Sequence, residues 1–182
     1  MKVIVLIGGI SSASLNKRFF ASVEKLGGTA FEFTVFDISA LPFYSQDLET
    51  TPPQTVVELR QLATASEAVL IVTPEYNRSI PGVLKNALDW GSRPPQNNVW
   101  AHKPTAIMGA SNGAIGTFGA QQHLRNICSF LDMPVMNQPA VYFNASTGMN
   151  DDSLTESSAA FLSKFLTSFE KWTRTFKEGY SK

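Results

Sequence analysis

The sequence predicts an α/β fold, a doubly wound parallel sheet of five strands with helices on both faces. Three observations predict it. Short β-branched runs alternate with helix-period segments from one end of the chain to the other. The runs at 3–7 and 68–72 are apolar almost without interruption, the pattern of strands buried on both faces. Strict alternation of strand and helix favours parallel pairing through right-handed crossovers.

The first strand, 3–7, runs into Gly8-Gly9. Residues 14–26 form a helix with Leu15, Phe19, Val23 and Leu26 on one stripe, stopped by Gly27-Gly28. The second strand covers 31–36 and ends at Asp37. The stretch 38–53 is irregular, broken by Pro42, Pro52 and Pro53, and loops this long in compact domains are more often functional than idle. A helix over 54–65 and a third strand at 68–72 follow. Pro81 begins a helix that runs to about Gly91, because proline is well tolerated at a first helical position. The fourth strand is 104–108, a helix covers 116–131, and the fifth strand lies within 135–143. A closing helix runs from 153 to about 177 with Leu154, Phe161, Phe165, Phe169 and Trp172 along its apolar side. No repeat, low-complexity tract or shift of composition divides the chain, so 1–182 reads as a single domain.

A chain of 182 residues is long enough to bury a full core. Its 15 lysines and arginines balance 15 aspartates and glutamates, so no net charge draws it to nucleic acid or a membrane surface. One cysteine, Cys128, excludes an intramolecular disulfide and fits a reducing compartment. The apolar run at the N-terminus is too short for a signal peptide, and nothing approaches the roughly 18 apolar residues of a membrane span. The expectation is a soluble cytoplasmic protein with no nucleic-acid or membrane partner.

In such sheets ligands sit beyond the carboxyl ends of the strands, near the switch of strand order, so the loops after strands one, three and four matter most. After strand one, Gly8 to Asn16 leads directly into a helix whose free N–H groups favour an anion. Gly9, Ser11, Ser14, Leu15 and Asn16 are the candidates there. The loop has neither G-x-G-x-x-G nor a Lys-Ser/Thr pair, and a hydroxyl-rich loop without lysine suits one phosphate monoester. The plainer reading makes Ser14 an N-cap and the glycines a turn. Asp37 reads as a turn residue and not as a ribose ligand, because the dinucleotide fingerprint is missing.

After strand three, residues 73–82 crowd Glu75, Tyr76, Asn77 and Arg78 between prolines. Prolines stiffen the loop, so backbone groups of Pro74, Glu75, Tyr76 and Asn77 can be held ready for a planar heterocycle. The alternative is a rigid strand-to-helix connection. After strand four, Ser111, Asn112, Gly113 and Gly116 belong to a run of small residues that lets a ligand approach the main chain, or to a plain loop.

Together these loops resemble the NADPH-dependent FMN reductase family, which includes quinone, chromate and azo reductases. The most specific stretch is residues 74–90, PEYNRSIPGVLKNALDW, which follows the family's PEYN-x-S-x-PG-x-LKNA-x-DW signature throughout. Residues 41–48 also resemble the family's segment after strand two. The resemblance implies a three-layer flavodoxin-like fold with strand order 2-1-3-4-5. It implies FMN as cofactor, its phosphate on the Gly9–Asn16 loop, its ring along residues 74–77 and its other side near residues 111–116. It further implies NAD(P)H as co-substrate, with hydride passed to flavin N5 and then to a quinone, flavin, azo or similar small-molecule acceptor by a ping-pong mechanism, in a homodimer or homotetramer. No side chain need act as a general base, so no catalytic residue is assigned. The rivals are a flavodoxin-like electron carrier, disfavoured by the neutral net charge, and a non-catalytic flavin-binding regulatory protein.

The chain departs from the family pattern in two places. In the first loop Gly9 and Ser11 stand where serine and arginine are common, which removes a charge-assisted phosphate contact and predicts weaker FMN retention. Near the fourth loop, Gly116-Thr117 replaces Gly-Gly and Gly119 replaces a frequent arginine. Elsewhere Cys128 reads as core, and His102 and His123 lack any spacing for a metal site. Trp90 and Trp100 are expected at the pocket mouth or a subunit interface.

Overall fold

The computed structural model describes residues 1–180, and side chains through 177. Five parallel strands form one sheet in the order β2-β1-β3-β4-β5, as expected. They are β1 (Lys2–Ile7), β2 (Glu32–Phe36), β3 (Ala68–Val72), β4 (Thr105–Ser111) and β5 (Val141–Asn144). The chain leaves β1 towards β2 on one side and returns to β3 on the other, which places the switch between β1 and β3.

Alternate residues of β1 feed the two cores. Val3, Val5 and Ile7 pack under α1 (Leu15–Gly27) and α6 (Glu156–Tyr180). Ile4 and Leu6 pack under α2 (Gln54–Ala65), α3 (Gly82–Gly91) and α4 (Phe118–Phe130). That is why the strand is apolar at every position. Each such buried aliphatic side chain contributes about 2 kcal/mol. Phe19 of α1 stacks on Phe143 of β5 with ring centres 4.5 Å apart, setting the helix against the sheet at the end that carries the loops.

Pairing continues past the strand ends. Gly8 N donates to Val72 O at 2.8 Å and Thr73 N to Met108 O at 3.0 Å. The loops after β1, β3 and β4 therefore leave the sheet side by side. At the opposite end Glu67 accepts from Lys2 N at 2.7 Å and from Lys177 Nζ, joining the start of β1 to the last turns of α6.

Several boundaries differ from expectation. The fourth strand reaches Ser111, because β5 pairs with it through Asn144. The closing helix starts at Glu156, preceded by a two-residue-per-strand hairpin, β6 (Met149–Asn150) with β7 (Ser153–Leu154), after the short helix α5 (Ala145–Gly148). Phe161 is not on the buried side and is 39% exposed. Both tryptophans assigned to the pocket mouth or an interface are core residues, Trp90 1% and Trp100 0% exposed. Their indole N–H groups are satisfied inside, Trp90 by Pro42 O at 2.8 Å and Trp100 by Leu88 O at 2.9 Å. A buried indole needs such an acceptor, and the chain supplies one in each case. Cys128 is buried, and burial pushes its thiol up to about 12.

The irregular 38–53 stretch is fastened to α3. Asn86 donates to Pro42 O at 2.9 Å and accepts from Tyr44 N at 2.8 Å, and the Tyr44 ring meets Trp90 edge-on at 5.1 Å. The two segments that carry the family resemblance are thus one contact.

Candidate functional site

The first loop ends in the N-terminus of α1. Ser14 is the N-cap, its Oγ accepting from Lys17 N at 3.4 Å, and Ser11 Oγ accepts from Ala13 N at 3.3 Å. The Ser14 N-cap role anticipated as the plainer reading is therefore real, and it leaves donors over. Among the described residues the N–H groups of Ser11, Ser12, Leu15 and Asn16 donate to no protein acceptor. Free N–H groups at the positive end of a helix are what a phosphate needs. Gly9 abuts the Ser14 hydroxyl.

The Asn16 side chain does something else. It is 2% exposed, its Nδ2 donating to Ala110 O at 3.0 Å and its Oδ1 accepting from Ala110 N at 2.9 Å. It braces β4 against α1, and only its backbone N–H is left for a ligand.

After β3, residues 76–79 close a tight two-residue turn. Tyr76 N donates to Ser79 O and Ser79 N to Tyr76 O, both at 3.0 Å, while Asn77 and Arg78 adopt φ of 51° and 64°. Positive φ at two successive residues marks the primed hairpin turn, which asparagine tolerates better than arginine does. Strain of this kind persists only where the surroundings fix it. Here Arg78 pairs with Glu75 at 2.9 Å, and Ser79 Oγ lies 2.6 Å from His123 Nδ1 on α4. The N–H groups of Asn77 and Arg78 donate to nothing among the described residues.

Glu75 is the joint between the loops after β3 and β4. Its Oε2 accepts from Ala120 N at 3.0 Å in the first turn of α4, where a carboxylate complements the helix dipole. A Cβ at Gly119 would come within 3.0 Å of that carboxylate, so the glycine found in place of the family's arginine admits Glu75 to the helix end. Gly116 has φ of 62°, and a Cβ there would strike the Tyr142 backbone at 2.6 Å. Gly116 alone can carry the loop from β4 into α4 at this height.

Between the turn and the fourth loop lies a cleft of about 440 Å³, lined by Glu75, Asn77, Arg78, Ser111, Gly113 and Ile115 among others. Of residues 111–116 only Asn112 does not line it; its carbonyl accepts from Ser146 Oγ at 3.1 Å. Pro74 packs against Gly8, which sets the loop after β3 against the first loop. The donors fit FMN: free N–H groups and hydroxyls at α1 for a phosphate, and a cleft with free N–H groups at Asn77 and Arg78 for a polar ring.

The model of the NADPH-dependent FMN reductase family matches residues 1–148. The chain belongs to that family. It is 42% identical over 177 residues to a 2-hydroxy-1,4-benzoquinone reductase of Burkholderia sp, covering 96% of this chain and 97% of that one. It is 39% identical to a quinone reductase of Pseudomonas putida, covering 94% of each. Its structure matches FerB, a flavoenzyme NAD(P)H:(acceptor) oxidoreductase from Paracoccus denitrificans, with TM-score 0.91 at 37% identity over 96% of this chain and 98% of that one. A flavodoxin from Pseudomonas aeruginosa shares the fold, with TM-score 0.60. The protein is an NAD(P)H-dependent FMN oxidoreductase of the FMN reductase and quinone reductase kind.

Three residues that line the cleft, Arg78, Ala114 and Ile115, were not among the candidates from sequence. Gly119, noted only as a departure, lies against the Glu75 carboxylate. The signal for Arg78 lay in the paired positions 77 and 78 of a tight turn. None existed for the Glu75–Ala120 contact, which joins residues 45 apart.

Proposed function

We propose that the chain works as a quinone reductase in which NAD(P)H and the acceptor use the same open cleft in turn, by a ping-pong sequence. The observation that carries this is the cleft between the Tyr76–Ser79 turn and the Ser111–Gly116 loop, at the same end of the sheet as the first loop. When bound, FMN would supply the redox chemistry between NAD(P)H and the acceptor. The chain positions and polarises. Ser11, Ser14 and the N–H groups of Leu15 and Asn16 hold the phosphate. Glu75 and Asn77 stand on one wall and Ser111, Gly113 and Gly116 on the other, while Pro74 and Tyr76, expected at the ring, do not line the cleft. The free N–H groups of Asn77 and Arg78 favour negative charge building up in the cleft. A quinone is the acceptor class favoured by the names of the relatives.

The protein acts as a homodimer or homotetramer in the cytoplasm. Tyr76, Ile115 and Phe118 are 53%, 54% and 47% exposed around the cleft mouth, an apolar rim that a second copy would cover. Light scattering of the purified protein tests the oligomer. For the activity, the visible spectrum with added FMN is recorded, and initial rates are measured at several NADH, NADPH and benzoquinone concentrations. Parallel double-reciprocal lines are expected. A chain that binds no added FMN, or intersecting lines that reveal a ternary complex, would overturn the reading.

A further inference from the structure

The first loop lacks the family's arginine at position 11, yet a cation stands over it. Lys17, in the first turn of α1, folds back so that its Nζ donates to Ile10 O at 3.0 Å. A lysine in the first turn opposes the helix dipole, and this turn holds no acidic residue to offset it. Arg18 beside it is neutralised by Asp152 at 3.0 Å, whereas Lys17 makes no ion pair among the described residues. Its ammonium therefore adds to the positive end of the helix where Ser11, Ser12, Leu15 and Asn16 leave their N–H groups open. Ser14, 8% exposed, adds a hydroxyl whose proton has no acceptor among the described residues.

We infer that Lys17 supplies the cationic contact to the FMN phosphate that Ser11 cannot, and so makes this chain select the phosphorylated flavin over riboflavin. The inference rests on the reading of the first loop as the phosphate subsite. It revises the expectation of a loop without a lysine: the cation enters from the helix, six residues after the position where the family carries it. Asp37 tempers the effect. Its carboxylate, held ionised chiefly by the Ser39 hydroxyl and N–H, lines the same concavity as Lys17, a hollow of about 220 Å³ beyond β1 and β2. Lys17 thus shares a hollow with an anion of the protein while its ammonium is held on the Ile10 carbonyl at the start of the loop.

The test compares two flavins on the full-length chain. Affinities for FMN and riboflavin are read from quenching of flavin fluorescence at low and high salt. Lys17→Met should lower FMN affinity about tenfold and leave riboflavin affinity unchanged, the size expected of one charge-assisted contact. Lys17→Arg should retain FMN binding, and Ser11→Arg in the Lys17→Met chain should restore it. The salt dependence of FMN binding should flatten in Lys17→Met. Equal weakening of both flavins, or no change in either, would overturn the inference while leaving the flavin site in place. A natural chain that binds FMN no more tightly than riboflavin would instead overturn the phosphate subsite, and the inference with it.

Discussion

At the scale of single residues, the site is held by polar groups that never need to touch a ligand. Asn16 is the clearest. Replacing it by leucine keeps the volume but leaves the Ala110 N–H and carbonyl buried without partners. The expected cost is about 2–4 kcal/mol in urea unfolding, because each orphaned buried group loses its hydrogen bond and stays out of water. A change below 0.5 kcal/mol, taking roughly that as the size of an ordinary surface substitution, would show that the brace is dispensable. Glu75 acts similarly on α4. Glu75→Ala removes the contact to Ala120 N and the pair with Arg78, and should cost about 1–2 kcal/mol in flavin-free protein. Glu75→Gln keeps an acceptor for Ala120 N and should lose about half as much. Equal thermal shifts for the two variants would deny that the cap is the relevant contact.

Elements are joined to one another as much as to the sheet. The α3 helix carries Asn86 and Trp90 on the face that grips residues 42–44. This explains why an asparagine lies buried in the middle of a helix, where its propensity is poor. Asn86→Ala breaks two hydrogen bonds at once, and Trp90→Phe breaks one. Hydrogen exchange across residues 41–49 should accelerate about tenfold or more in Asn86→Ala, about 1 kcal/mol of local opening for each lost bond, with little change in β1 or β3. Acceleration spread evenly over the molecule would mean that the segment is not an independent clasp. The long irregular stretch is thus fastened to the helix that follows the Tyr76–Ser79 turn.

The whole molecule is closed at the end away from the site by Glu67. Lys177 chiefly, and Lys2 N–H with it, hold the Glu67 carboxyl below its ordinary value. A carboxylate whose folded pKa is depressed contributes stability above the unfolded value, about 4.3, and loses it as pH falls through the lower folded value. Glu67→Gln should therefore reduce stability at pH 7 and narrow its deficit below about pH 4. A deficit independent of pH would assign the role of Glu67 to packing. Because Glu67 ties the first strand to α6, the loss should appear as a single cooperative transition.

Much of this was legible in the sequence. The alternation of apolar runs and helical stripes set the parallel sheet, since burial on both faces requires apolar side chains at every position of β1 and β3. The three loops were visible because glycine, serine and proline are needed where a chain turns at the edge of a sheet. What the sequence withheld were contacts between residues far apart along it. Asn16 faces Ala110, Glu75 faces α4, and the two tryptophans find carbonyls in the interior instead of a surface. Composition reports that a side chain is polar or aromatic; only the packed structure decides which partner satisfies it, because that partner is brought within 3 Å by the topology of the whole sheet. The sequence by itself determined the architecture and the family. Tertiary structure alone decided that Lys17, and not a residue of the loop itself, brings positive charge to the place where the first strand ends.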